Sequence, residues 1–285
     1  MAFFGDPVMP VFWATGGGML CTPMPTAIVR TYTQSGFVIA ADGRKRHHHG
    51  TVRSDKQQKI FSIEQTGLVV AYSIAGNPIF TPEDNDDLQV FNLITEIPKA
   101  VQTLASTLVT TLPEYGKALA DMINERLRQA KETPNTDYPE ITTQSHGLDS
   151  TIAYLFFDGY CNERPSRLQI RFFHEGQDLK PPEVFPQDLF LGYHIGYGSD
   201  IMRYIIFETD DARFSQFRMP KRRPADVTIT DAVEEARRFI EACKTPEALT
   251  EDPEHCAGIG GHIHIATVTP SRGFRWVKDR APLAE

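Results

Sequence analysis

The run Gly36-Phe37-Val38-Ile39-Ala40-Ala41-Asp42 constrains this chain most. Read as a strand, it places Phe37, Ile39 and Ala41 on one face and Val38 and Ala40 on the other. Both faces are apolar, and a sheet apolar on both faces must be covered on both. The run belongs to a longer stretch from Thr26 to Gly76. Before it, Thr26-Ala27-Ile28-Val29 opens a strand over about 26 to 33, joined to it by a Gln34-Ser35-Gly36 turn. After it, Lys45 to Ser54 is polar and reads as a loop, and Lys59 to Ile63 and Leu68 to Ile74 read as the next strands. Periodicity alone establishes only a sheet.

The remainder alternates helices and strands. Asp86 to Val109 holds helical pattern interrupted by Pro98, which is expected to kink or divide it. After Pro113, Tyr115, Leu119, Met122, Ile123 and Leu127 share one helical face, and Pro113 suits a first turn. Glu132 to Asp149 is polar and interrupted by prolines, a loop. Thr151 to Phe157 and Arg167 to Phe173 read as strands around a turn at Asn162 to Ser166. Lys180 to Pro186 reads as a loop, Leu189 to His194 as a strand and Asp200 to Phe207 as a helix. Val233, Ala236, Phe239, Ile240 and Cys243 form the apolar face of a further helix, which stops before Pro246.

The chain of 285 residues reads as one domain over 26–285 behind an N-terminal segment, 1–25. That segment is apolar in patches and glycine-rich at Gly16-Gly17-Gly18, without the basic start and long apolar core of a secretory signal. It admits three readings: a propeptide, an ordered extension, or leader upstream of a start at Met19 or Met24.

The net charge of −8, with scattered Lys and Arg, recommends neither a nucleic-acid nor an anionic-membrane surface. No apolar run approaches the ~20 residues of a membrane helix. Cys21, Cys161, Cys243 and Cys256 lack paired spacing, which fits reduced thiols and a cytoplasmic location.

The residue order resembles the opening of proteasome-type subunits, ring-forming members of the N-terminal nucleophile hydrolases. That family has a threonine starting the first strand and an alanine-alanine-aspartate-x-arginine segment ending the second. A lysine stands before the third strand and an alanine-glycine pair follows the fourth. Thr26, Ala40-Ala41-Asp42-Gly43-Arg44, Lys59 and Ala75-Gly76 occupy those places here. The C-terminal Gly260-Gly261-His262-Ile263-His264-Ile265-Ala266-Thr267-Val268 and Gly273-Phe274-Arg275-Trp276-Val277 resemble the family's last two strands.

The resemblance implies an α+β fold, a four-layer α-β-β-α sandwich. It implies Thr26 as the nucleophile, with its own α-amine as base once it is the N-terminus. Lys59 would favour the neutral amine, Asp42 would hold Lys59, and the N–H of Gly76 would face the oxyanion. The loop after Arg44, with Lys45 and Arg46, would line the substrate path, and Ile74 would sit at the base of an apolar specificity pocket. It implies no cofactor. Implied partners are identical subunits in a ring, a peptide or unfolded protein as substrate, and an ATPase unfoldase. The expected activity is that of a threonine-type peptidase. An inactive structural ring subunit and an N-terminal nucleophile amidohydrolase acting on a small amide stand as alternatives.

Several residues depart from the family pattern. Pro25 stands where self-cleaving members have glycine. By sequence register Tyr197 replaces a helper serine, with Ser199 the substitute if the register slips by two; Cys256 replaces a helper aspartate and Ile259 a second serine. His47-His48-His49 and the set His255, Cys256, His262 and His264 offer ligand types without a zinc spacing, so no metal is expected.

Overall fold

The computed structural model describes residues 26–46, 52–76, 79–80, 91–132, 150–175 and 178–281. It is a mixed α+β structure with two large antiparallel sheets. The first has the strand order Gly192–Tyr197, Ile28–Thr33, Gly36–Asp42, Ile263–Thr269 and Gly273–Trp276. Strands far apart in sequence therefore meet in its middle: Ala41 pairs with both Ile28 and His264, and Asp42 pairs with Ile263. The second sheet runs through Arg164–Glu175, Ser150–Cys161, Leu68–Gly76 and Ile60–Gln65, with Asp178–Leu179 and Glu183–Pro186 both pairing the Arg164–Glu175 strand.

The two-sided apolar pattern is explained by where each face packs. Val38 and Ala40, with Ala27, Val29, Ile263 and Ile265, lie against Met202, Ile206, Phe239 and Ile240 of the helices Asp200–Glu208 and Ile229–Cys243. Phe37, Ile39 and Ala41 face the other way and share a cluster with Ile60, Ala71, Ala75 and Phe156 of the second sheet. The opposite face of that sheet, including Val70, Leu155, Phe157 and Ile170, packs on Ile97, Leu119, Ile123 and Leu127 of the helices Leu93–Leu104 and Leu112–Lys131. The helix starts are written in the sequence. Thr111 caps the Glu114 N–H with Pro113 in the first turn, and Thr228 and Asp231 form a reciprocal capping box.

One buried ionic cluster pins the sheets together. Arg30, in the first sheet, donates from Nε to Asp158 Oδ2 at 2.6 Å, and Arg167 donates from Nε to Asp158 Oδ1 at 2.6 Å. Arg30 also reaches Gln187 Oε1 at 2.7 Å and the Phe157 carbonyl at 3.1 Å, and its guanidinium lies 4.9 Å from the Phe156 ring centroid. Burial alone would raise the Asp158 pKa, but the two guanidinium charges and their hydrogen bonds outweigh it and hold the carboxyl below its ordinary value.

Several elements differ from the sequence reading. The helix Leu93–Leu104 runs through Pro98 undivided; Pro98 stands five residues from the start, so one intrahelical hydrogen bond is lost and the rest of the ladder closes. Part of the expected Asp86–Val109 pattern, like residues 133–149 of the expected polar loop, lies outside the described residues. The expected loop Lys45 to Ser54 contains a short ribbon pairing Lys45–Arg46 with Val52–Ser54. The expected loop Lys180 to Pro186 contains the edge strand Glu183–Pro186. The strand expected at Leu189 to His194 is Gly192–Tyr197. The turn expected over Asn162 to Ser166 is only Asn162-Glu163, at φ 49° and 65°, a geometry that lets the two long strands twist without splaying.

Candidate functional site

Thr26 precedes the first strand and is 4% exposed. Lys59, just before the strand Ile60–Gln65, reaches across from the second sheet. Its Nζ donates to Thr26 Oγ1 at 3.0 Å and to Asp42 Oδ1 at 2.9 Å. The three residues that the sequence singled out are therefore in one hydrogen-bonded group.

Asp42 is fully buried at the end of its strand and is held by more than the lysine. Its Oδ1 also accepts from the Ala27 N–H at 3.0 Å, and its Oδ2 accepts from the N–H groups of Arg44 and Gly260, each at 3.1 Å. A buried carboxylate with this many donors has a fixed direction. The geometry also explains the C-terminal glycine pair. Gly260 brings its N–H onto Asp42 and accepts from the Gly43 N–H at 3.0 Å. Gly261, at φ +71°, is pressed against the backbone of Asp55, whose carbonyl would lie 2.3 Å from a Cβ.

Gly76 ends the strand Leu68–Gly76 at φ +99°, and a Cβ there would stand 2.5 Å from the Ile152 carbonyl oxygen. Glycine is required by backbone conformation and by space, whatever its N–H does. Gly76→Ala is expected to lower unfolding free energy by at least ~1–2 kcal/mol, seen as an earlier urea midpoint.

The other sequence-marked residues separate into groups. Ile74 is buried in the cluster beneath the helices Leu93–Leu104 and Leu112–Lys131, and its N–H donates to the Lys59 carbonyl at 3.1 Å. Lys45 and Arg46 form one side of the short ribbon beyond Arg44. Arg44 itself pairs with Asp55 at 2.8 Å. His47-His48-His49 lies outside the described residues.

The structure separates the two helper candidates that the sequence offered, Tyr197 and Ser199. Tyr197 pairs with Ile28 and packs its ring on Tyr154, whereas Ser199 is fully buried. Ser199 Oγ donates to Asp252 Oδ2 at 2.5 Å and accepts from the Met202 N–H at 2.9 Å, capping the helix Asp200–Glu208. Asp252 was missed. It lies four positions upstream of Cys256 and also accepts from the His255 N–H at 3.2 Å and faces its Nδ1 at 3.0 Å. Burial would raise its pKa, but the hydrogen bonds from Ser199 and His255 win and lower it. The signal was present as Asp252-Pro253, a helix-start pair.

Cys243 and Cys256 are free, buried thiols between these groups, and burial pushes the Cys243 thiol well up. Among the described residues no three His, Cys, Asp or Glu side chains converge as a metal site, and no helix is long and apolar enough to cross a membrane. Two cavities, of about 740 Å³ and 390 Å³, are lined by other residues. The larger lies at the hairpin ends around Gly67, Asn162 and Gly273, and the smaller beside the C-terminal end of the helix Asp200–Glu208.

No protein-family model matches this sequence, and no curated protein matches it. Among solved structures it is similar to Anbu (ancestral beta-subunit) from Yersinia bercovieri, with a TM-score of 0.52 at 12% identity over 89% of this chain and 88% of that one. An Anbu mutant from Hyphomicrobium sp. strain MC1 gives a TM-score of 0.49 at 13% identity over 91% and 88%, a score too low to add weight. The likeness is one of fold. It corrects the assignment to proteasome-type subunits proper: the neighbours are Anbu proteins, proteasome-like but a distinct family related to the N-terminal nucleophile hydrolases.

Proposed function

We propose that this chain is a threonine-type peptidase of the N-terminal nucleophile kind, with Thr26 as nucleophile. The observation that carries the reading is the Lys59 ammonium seated on both Thr26 Oγ1 and the buried Asp42 carboxylate. The proposal includes a four-layer α-β-β-α arrangement over 26–285, removal of 1–25, and assembly of identical subunits into a ring. Peptide or unfolded protein is the substrate, with an ATPase unfoldase as a further partner.

The chemistry follows from what each group does to a proton or a charge. A hydroxyl needs a base, and the α-amine of an N-terminal threonine, with a pKa of about 7.7–8.0, is one carried on the same residue. The Lys59 charge beside it favours the neutral, proton-accepting amine. As Thr26 Oγ1 attacks the scissile carbonyl, its proton passes to the amine and the carbonyl oxygen becomes an oxyanion facing the Gly76 N–H. The amine then gives the proton to the leaving nitrogen, and water, deprotonated by the same amine, releases the acyl group. Asp42 holds Lys59 in place, and the Ser199–Asp252 pair braces the neighbouring helix start.

A second reading has its own observations. Pro25 precedes Thr26, and Thr26 is nearly fully buried, which suits a subunit whose threonine is never freed and which serves as a structural ring element. Turnover of short fluorogenic peptides by the purified protein separates the two. Cleavage that an acylating inhibitor of threonine hydroxyls stops supports the peptidase. Cleavage of small acylated amines alone points to an amidohydrolase, and no turnover of either class supports the structural element.

A further inference from the structure

Glu235 stands on the buried face of the helix Ile229–Cys243, in a stripe with Ala232, Ala236 and Phe239. Only 7% of the residue is exposed. A glutamate buried to this degree is ordinarily paired. Among the described residues, however, no hydrogen bond or ion pair goes to its carboxyl. What it lines instead is the cavity of about 390 Å³ beside the C-terminal end of the helix Asp200–Glu208. Burial, then the charge of Asp231, raises its pKa, with Arg222 acting against them, as suits a carboxyl cut off from bulk water.

The same cavity holds an unmet donor. Arg218 lines it, with Nη1 on Asp210 Oδ1 at 3.1 Å and Nη2 on the Asp211 carbonyl at 2.8 Å. Its buried Nε–H finds no acceptor among the described residues. Arg238 fixes this segment from the helix, donating to the Arg218 carbonyl at 2.8 Å. A buried acceptor and a buried donor left unmet are each costly, and a ligand that satisfies both removes the cost. The charges around them say which ligand. Arg222 is already paired with Asp231, and Glu208 and Lys221 are exposed to solvent. What remains for a ligand is one carboxylate to be met by a cation and one guanidinium edge to be met by an anion. Ile206, Met219 and Val227 give the cavity an apolar wall, and its volume falls in the ~300–1,000 Å³ range of small-molecule sites.

We propose that this cavity binds a small zwitterion with an apolar side chain, of the free amino acid or dipeptide class, its ammonium on Glu235 and its carboxylate on Arg218 Nε. None of Thr26, Asp42 and Lys59 lines the cavity, so its occupancy does not depend on the peptidase reading.

The test is calorimetric titration of the full chain with leucine and with the dipeptide Leu-Leu, in the wild type and in Thr26→Ala. Saturable binding of at least one of the two is expected, equal in both proteins. It is expected to weaken ~10-fold or more in Glu235→Gln, and by a similar factor when the ligand's amine is acetylated or its carboxylate is converted to the amide. Absence of saturable binding by both ligands overturns the proposal, and so does binding that Glu235→Gln leaves unchanged. Should that variant not fold, the blocked ligands decide on the unaltered chain, and blocked forms that bind as well as the free zwitterion overturn it. Binding seen in the wild type and lost in Thr26→Ala places the ligand at Thr26 and overturns this site while leaving the peptidase reading standing.

Discussion

Thr26→Ala is expected to abolish peptide turnover while the chain keeps its fold. Removing the nucleophile of a serine hydrolase lowers kcat by about six orders of magnitude, and a loss of that order is expected here. The structural consequence is small by comparison. Thr26 Oγ1 accepts one hydrogen bond, from Lys59, and the lysine keeps its pairing with Asp42. The expected change in unfolding free energy is therefore about 1 kcal/mol. Lys59→Ala is a less clean test. It leaves Asp42 buried with only backbone donors from Ala27, Arg44 and Gly260, so both turnover and stability fall. Comparing kcat with the urea midpoint for the two variants separates a chemical role from a scaffolding one. Full activity in Thr26→Ala would end the nucleophile assignment.

The largest effect on stability is expected from Asp158→Ala. The substitution leaves Arg30, fully buried, and Arg167, nearly so, without the carboxylate they share. Removing one partner from such a cluster typically destabilises by ~3–5 kcal/mol, because the remaining charge stays buried. Replacing Arg30, Asp158 and Arg167 together by apolar residues of similar volume is expected to recover much of that loss. The pH dependence has a definite sign. The folded carboxyl has its pKa held below the ordinary ~3.9, so its contribution is complete above that pH and is lost as pH falls through the lower, folded value. Asp158→Asn should flatten this acid limb in denaturation curves taken between about pH 2 and 5. An Asp158→Ala midpoint equal to wild type would mean that the cluster is not the pin between the sheets.

Much of the fold was legible because few solutions satisfy Phe37 to Ala41. A strand apolar on both faces needs another layer on each side, and the structure supplies helices on one and a second sheet on the other. The amphipathic helices were readable for the same reason, with caps at Thr111 and Thr228 confirming their starts. What stayed hidden depends on partners distant in sequence. Glu183–Pro186 becomes a strand only because Arg164–Glu175 offers an edge, and three prolines in the neighbourhood argue locally for a loop. Which of Tyr197 and Ser199 would be the buried one was not legible, because the pairing of Ile28–Thr33 with Gly192–Tyr197 is irregular between Ile28 and Val29, a shift invisible to spacing. Asp252 was hidden because a short helix, Pro253–Cys256, separates it from the Gly260-Gly261 pair. The family assignment failed differently: it rested on a few landmarks, Thr26, Asp42, Lys59 and Gly76, whereas the fold likeness found is to an Anbu protein.

The most direct measurement is the intact mass and N-terminal sequence of the protein purified from its native host. The proposed mechanism needs the α-amine of Thr26 to be free, so the chain is expected to begin at Thr26, with the mass of residues 26–285. A chain beginning at Met1, Met19 or Pro25 would leave Thr26 without its base and contradict the peptidase assignment.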